Sequence, residues 1–203
     1  MKFHHFKHFG IVCRHRHHVI VNAAHCGIFF QALRHDMSKF TRPEFKPSAK
    51  YYCGSHSPVF EERIRHGYFS SVCQHHTKRN KHHWEYWTDF FAGRVVEKTM
   101  PWNWAMEYIC DTISASFCYH PKEFNRNSPL TYFEKYNSVY YMTSWTREFI
   151  HWGLKRYAEY GLKGLKKKDT KKMYAELGKK YPETEIVETL RPFGNLPSLV
   201  SDI

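Results

Sequence analysis

Apolar positions along the chain recur mostly at three- and four-residue spacing, the period of an amphipathic helix, and no alternating run ends in an Asn-Gly type of hairpin turn. The pattern predicts an all-α fold. A first helix is expected over residues 12–25, stopped at Gly27, and a second over about 28–39. Thr41-Arg-Pro-Glu44 sets a capping residue, a first-turn proline and an acid in the order that starts a helix, which Pro47 is expected to cut short. Residues 47–58 read as loop, Pro58–His66 and Tyr68–Arg79 as successive helices parted at Gly67, and helical pattern resumes after Asn80. A turn at Thr99-Met-Pro101 leads into a strong helix over 102–119. Residues 121–129 read as a surface loop, and the aromatic-rich stretch 130–160 as one or two further helices. The final twenty residues or so, with Pro182, Pro192 and Pro197, read as an extended, loosely ordered tail, and no internal repeat is found.

Composition narrows the class. A chain of 203 residues that is 42% hydrophobic and 18% aromatic can bury a core, which excludes disorder throughout and favours one main domain, 1–160, followed by a basic helix and tail, 161–203. No window reaches the run of about 18 uncharged apolar residues that a membrane-spanning helix needs. The start, MKFHHFKHFG, lacks the apolar stretch of a signal peptide, so a cytoplasmic protein without membrane partners is expected. Its six cysteines form no CxxC pair and are expected to be reduced. The formal charge of +12 invites a polyanionic partner. Much of it lies in KGLKKKDTKKMYAELGKK, Lys163 to Lys180, which reads either as a solvated helix face or as a contact for nucleic acid or a membrane surface.

Of the 16 histidines, 14 precede residue 84 and cluster with acids. Imidazole is the commonest neutral nitrogen ligand of first-row metals, and carboxylates complete and bridge such sites. His15, His17 and His18 fall on the first helix, His35-Asp36 end the second, and HHTKRNKHH pairs His75-His76 with His82-His83. In WNWAMEYICDTISASF, Asp111 sits among apolar residues with Glu107 one turn before it on the same face. A buried acid there needs a cationic partner, either a metal ion or a Lys or Arg side chain.

The order His15, His35-Asp36, Asp111 resembles the H…HD…D ligand order of the HD-domain superfamily of metal-dependent phosphohydrolases. The string HRHHV, GIFFQALRHDMSKF, RPEF, SPVFEERIRHGYFSSVCQHHTKRNKHHWEYW, VEKTMP and MEYICD, over roughly residues 10–145, is similar to a family of bacterial and phage proteins described as a domain of unknown function. The resemblance implies an HD-domain-like helical bundle with a basic C-terminal extension, in the cytoplasm of a bacterial or phage-infected cell. It implies one or two divalent ions (Mn, Fe, Zn, Mg or Ni). His15, His35, Asp36 and Asp111 would bind the first, with Asp36 bridging to a second held by one of His75 or His76 and one of His82 or His83. The implied reaction is attack of metal-activated water on a nucleotide or other phosphate ester or diester.

Lys39, Arg79 and Lys81 are the candidates to meet substrate phosphate, and Lys39, Glu44 and Glu107 those for catalytic or supporting roles. Trp84, Tyr86, Trp87, Trp102 and Trp104 are candidates to stack a nucleobase or to pack the core. Three departures stand out: the short His15–His35 gap, the compact double-His cluster, and Trp84-Glu85-Tyr86-Trp87 where cyclic-dinucleotide phosphodiesterases carry a GYP signature. Two other readings share these residues: an HD-type di-iron oxygenase, and a non-catalytic nucleic-acid-binding protein with a structural metal.

Overall fold

The computed structural model describes residues 4–54 and 57–187. Over these residues the protein is a mostly helical bundle carrying one small antiparallel sheet. Helix α1 (His5–His25) turns a stripe of His8, Val12, His15, Val19 and Ala23 inward, the spacing of one helical face. It begins well before residue 12, because His8 continues the stripe as a buried residue against the rings of Phe45 and Tyr52.

The expected helix over 28–39 is broken. Only α2 (Phe29–Ala32) is α-helical; the chain then turns, and Met37–Phe40 forms a 3-10 turn. The break falls at Asp36, which adopts left-handed backbone angles (φ 52°, ψ 26°). Such a conformation costs an L-residue about 1–2 kcal/mol, and Asp tolerates it better than most. Helix α3 (Arg42–Tyr51) starts after Thr41 as expected but runs straight through Pro47. The proline removes one backbone donor, and the burial of Ser48, Ala49 and Tyr51 beyond it carries the helix on. Helices α4 (Pro58–Arg65) and α5 (Ser71–Thr77) follow, each opened by a serine whose hydroxyl caps a backbone N–H.

Between Asn80 and Pro101 the chain does not return to α-helix. A 3-10 turn, Trp84–Trp87, leads into a hairpin of β1 (Thr88–Phe91) and β2 (Arg94–Lys98), with Phe90 opposite Val95. Its turn is Ala92-Gly93, both at positive φ (50° and 75°), the geometry of a two-residue hairpin in which an asparagine or aspartate is the usual first residue. Alanine there hides the signal. Strand β3 (Thr184–Val187) pairs antiparallel with β2, so the start of the expected tail is a strand; residues 188–203 lie outside the described residues.

Helix α6 (Trp102–Tyr119) spans the bundle, followed by α7 (Ser128–Tyr136), α8 (Ser144–Tyr160) and α9 (Lys167–Gly178). The core gathers Val19, Met106, Ile109, Ile150 and Leu154 from α1, α6 and α8, each wholly or almost wholly buried. Leu165 and Leu177 join the same core and hold the lysine-rich segment onto α8, each such burial contributing about 1.5–3 kcal/mol. The described cysteines are all free thiols. No helix among the described residues is long and apolar enough to cross a membrane.

Candidate metal centre

Four elements converge on one buried point. From α1 comes His15. The turn after α2 contributes His35 and Asp36, and Arg16 pins that turn by donating Nε–H to the His35 carbonyl (2.7 Å) and Nη2–H to the Leu33 carbonyl (2.9 Å). From α5 and the loop after it come His76, His82 and His83. On α6, Glu107 and Asp111 lie one turn apart and both face the cluster.

Two groups of donor atoms share Asp36, and a third, His35, His82 and Glu107, links the two. In the first, His15 Nε2 is 2.8 Å from Asp111 Oδ1 and 4.0 Å from Asp36 Oδ2, while His35 Nε2 is 3.4 Å from Asp111 Oδ1 and 3.3 Å from Asp36 Oδ2. In the second, Asp36 Oδ1 faces His76 Nε2 at 3.2 Å and His82 Nε2 at 3.5 Å, with His83 alongside. Within each set the ligand atoms lie within 4.8 Å of one another. An ion with ligands at about 2.0–2.2 Å spans donors up to about 4.4 Å apart, so contraction of a few tenths of an ångström closes each set.

An outer layer of carboxylates fixes the imidazoles. Glu107 Oε1 accepts from His35 Nδ1 (2.8 Å) and His82 Nδ1 (3.2 Å), and its other oxygen accepts from Gln31. Glu44, fully buried, accepts from His75 Nδ1 (2.6 Å) and His76 Nδ1 (2.8 Å). An ionised carboxylate can only accept, so these Nδ1 atoms carry the protons and the Nε2 atoms of His35, His76 and His82 turn toward Asp36. Asn80 holds the α5 end of the cluster, donating to the His76 carbonyl and to Ser38 Oγ, both at 2.8 Å.

The charges are lopsided. Among the described residues, Asp36, Glu44, Glu107 and Asp111 meet one ammonium, Lys39, whose Nζ is 2.6 Å from Asp36 Oδ2. Neither Asp36 oxygen, nor His82 Nε2, has a well-aligned hydrogen-bond partner among the described residues, although both side chains are 1% exposed. Burial pushes the Asp36 carboxyl up, but His35, Lys39 and His76 hold it well below the usual carboxylate range. The same contest, won by His15 and His35, lowers Asp111, and His35 and His82 bring Glu107 down to about 2. Burial opposes a charge on His35, yet Asp36, Asp111 and Glu107 together raise it to about 10. Buried carboxylates this close are stable only with positive charge among them, which protonated His35 and Lys39 supply when no ion is bound, and the donor set of imidazole and carboxylate fits a divalent cation in the place of the His35 proton.

Among the other sequence candidates, Lys39 lies at the cluster, and Glu44 and Glu107 sit one layer out, on the imidazoles. Arg79 and Lys81 are exposed and engaged elsewhere: Arg79 donates to the His75 carbonyl (3.3 Å) and Lys81 lies over the Tyr86 and Trp104 rings. Trp84 stacks on Tyr140, and the Trp102 indole N–H donates to Thr170. Sequence reasoning missed Gln31, Ser38, Asn80 and Arg16, small polar groups whose roles depend on which loop meets which helix.

The fold and its centre thus define a helical protein built around a buried histidine–carboxylate cluster. The chain belongs to the family described as "Family of unknown function (DUF5662)", whose profile matches residues 4–156 and so takes in every residue of the cluster. No curated protein and no solved structure matches it.

Proposed function

We propose that the protein is a metal-dependent phosphohydrolase of HD-domain type, acting on a nucleotide or another phosphate ester or diester. The observation that carries this reading is the sharing of Asp36 between two donor sets, each backed by a carboxylate on its imidazoles. His15, His35, Asp36 and Asp111 would hold one ion; Asp36, His76, His82 and His83 the other. Divalent ions so placed lower the pKa of water and offset charge on phosphoryl oxygens.

The chain's own residues do the rest. Glu107 and Glu44 keep the imidazoles in one tautomer and one orientation, which removes the cost of reordering them as substrate arrives. Asp111 and Lys39, with side chains 20% and 33% exposed, form the side of the centre that a phosphate can reach, whereas His35 and Asp36 stay dry. Lys39 offers the nearest ammonium to a phosphate oxygen.

The test is turnover of nucleotides, cyclic dinucleotides and generic phosphodiesters by the metal-loaded chain and by Asp36→Ala. Activity in the first and none in the second supports the reading; equal activity in both removes it. The imidazole-rich donor set also suits iron, which favours a second reading as a di-iron oxygenase. Metal analysis with a visible spectrum of freshly purified protein separates the two, since zinc is colourless and an oxidised di-iron site is not.

A further inference from the structure

The relation between Lys39 and Asp36 goes beyond ordinary surface pairing. Asp36 is the one residue common to both donor sets, and the ammonium of Lys39 rests 2.6 Å from its Oδ2, the oxygen that also faces His35 Nε2 at 3.3 Å and His15 Nε2 at 4.0 Å. The place of the ammonium on this oxygen is therefore beside the position that the first donor set defines. Lys39 is carried on the 3-10 turn Met37–Phe40, directly after the left-handed Asp36, so the long, flexible stem of the lysine is the part that moves when its ammonium leaves the aspartate. Its side chain is one-third exposed, so a path toward solvent is open to it.

Resting on the metal-centre reading above, we propose that Lys39 is an exchangeable cation: it neutralises Asp36 until a divalent ion enters the first donor set, then leaves that carboxylate and turns its ammonium to the substrate phosphate. An ammonium and a divalent ion a few ångströms apart repel strongly in a poorly solvated site, so the two compete for Asp36. Ion loading and phosphate binding are then coupled through one side chain, and a chain lacking its first ion offers substrate no free ammonium.

The experiment is calorimetric titration of Mn²⁺ into the chelator-stripped full chain, comparing the parent with Lys39→Met and Lys39→Arg. Removing the competing charge should tighten the first Mn²⁺ site by about tenfold or more in Lys39→Met, while Lys39→Arg, which keeps the charge, stays within about threefold of the parent. A lysine Nζ NMR signal protected from exchange in the stripped parent should lose that protection on adding Zn²⁺, a readout that stands even if stripped Lys39→Met fails to fold. Unchanged or weaker Mn²⁺ affinity in Lys39→Met, or a Nζ signal indifferent to Zn²⁺, overturns the exchange while leaving the metal centre intact. Absence of Mn²⁺ uptake by the parent overturns both.

Discussion

His15 on α1 and Asp111 on α6 meet at 2.8 Å, Nε2 to Oδ1. The contact closes the first donor set between two helices whose antiparallel packing shows in the Arg14–Cys118, Asn22–Ser114 and Cys26–Cys110 contacts. The acid among apolar neighbours on α6 is therefore matched by a histidine cluster rather than by a surface lysine. Because Asp111 belongs to one set and Asp36 to both, their loss has different consequences. Asp111→Ala is expected to lower bound divalent ion from about two to about one per chain, and Asp36→Ala to near zero, by elemental analysis after gel filtration.

The outer carboxylates give a second contrast. Glu107→Gln keeps the shape but presents an amide to two Nδ1–H groups, and is expected to weaken ion affinity by about 10–100-fold. Glu44→Gln disturbs His75, His76 and Ser38 but no imidazole of the first set, and should weaken only one of the two sites. Stepwise titration with a chromophoric chelator as competitor reads both; equal effects on both sites in Glu44→Gln would contradict the assignment.

Protonation supplies a third prediction, made for protein stripped of divalent ions. His35 has a folded pKa near 10, above its ordinary 6.5, so its contribution to stability is complete below about 6.5 and is lost as pH rises through 10. Glu107 runs the other way: its contribution is present above its ordinary 4.5 and is lost as pH falls toward 2. The stripped chain is expected to melt at progressively lower temperature between pH 6.5 and 10. Saturating ion replaces the proton on His35 and should flatten that decline, as differential scanning fluorimetry across pH would read.

A fourth prediction separates the core from the centre. A Cβ added at Gly164 would meet the Arg156 carbonyl oxygen at 2.5 Å, and backbone cannot move aside cheaply. Gly164→Ala is expected to cost about 1–3 kcal/mol in denaturant unfolding while leaving ion stoichiometry unchanged.

How much of this was legible in the sequence depends on the kind of signal. The helix over 102–119 was readable because a long, largely apolar run without a breaker lies between Pro101 and Pro121, and the histidines and acids announced themselves as types that are costly to bury singly. Periodicity could not reveal the left-handed Asp36, because the residues around it continue a helical pattern that the cluster then overrides. Ala92 concealed a hairpin, and Pro47 suggested a break that tertiary packing outweighs. The roles of Gln31, Ser38 and Asn80 arise from contacts between segments far apart in the chain, which no local pattern encodes.

The central claim is that two divalent ions share Asp36. Anomalous diffraction from crystals grown with Mn²⁺ tests it most directly. The account predicts two peaks about 3.5–4 Å apart, one within bonding distance of His15, His35 and Asp111, the other of His76 and His82, and both of Asp36. No peak at the cluster, or a peak that leaves Asp36 uncoordinated, would contradict it.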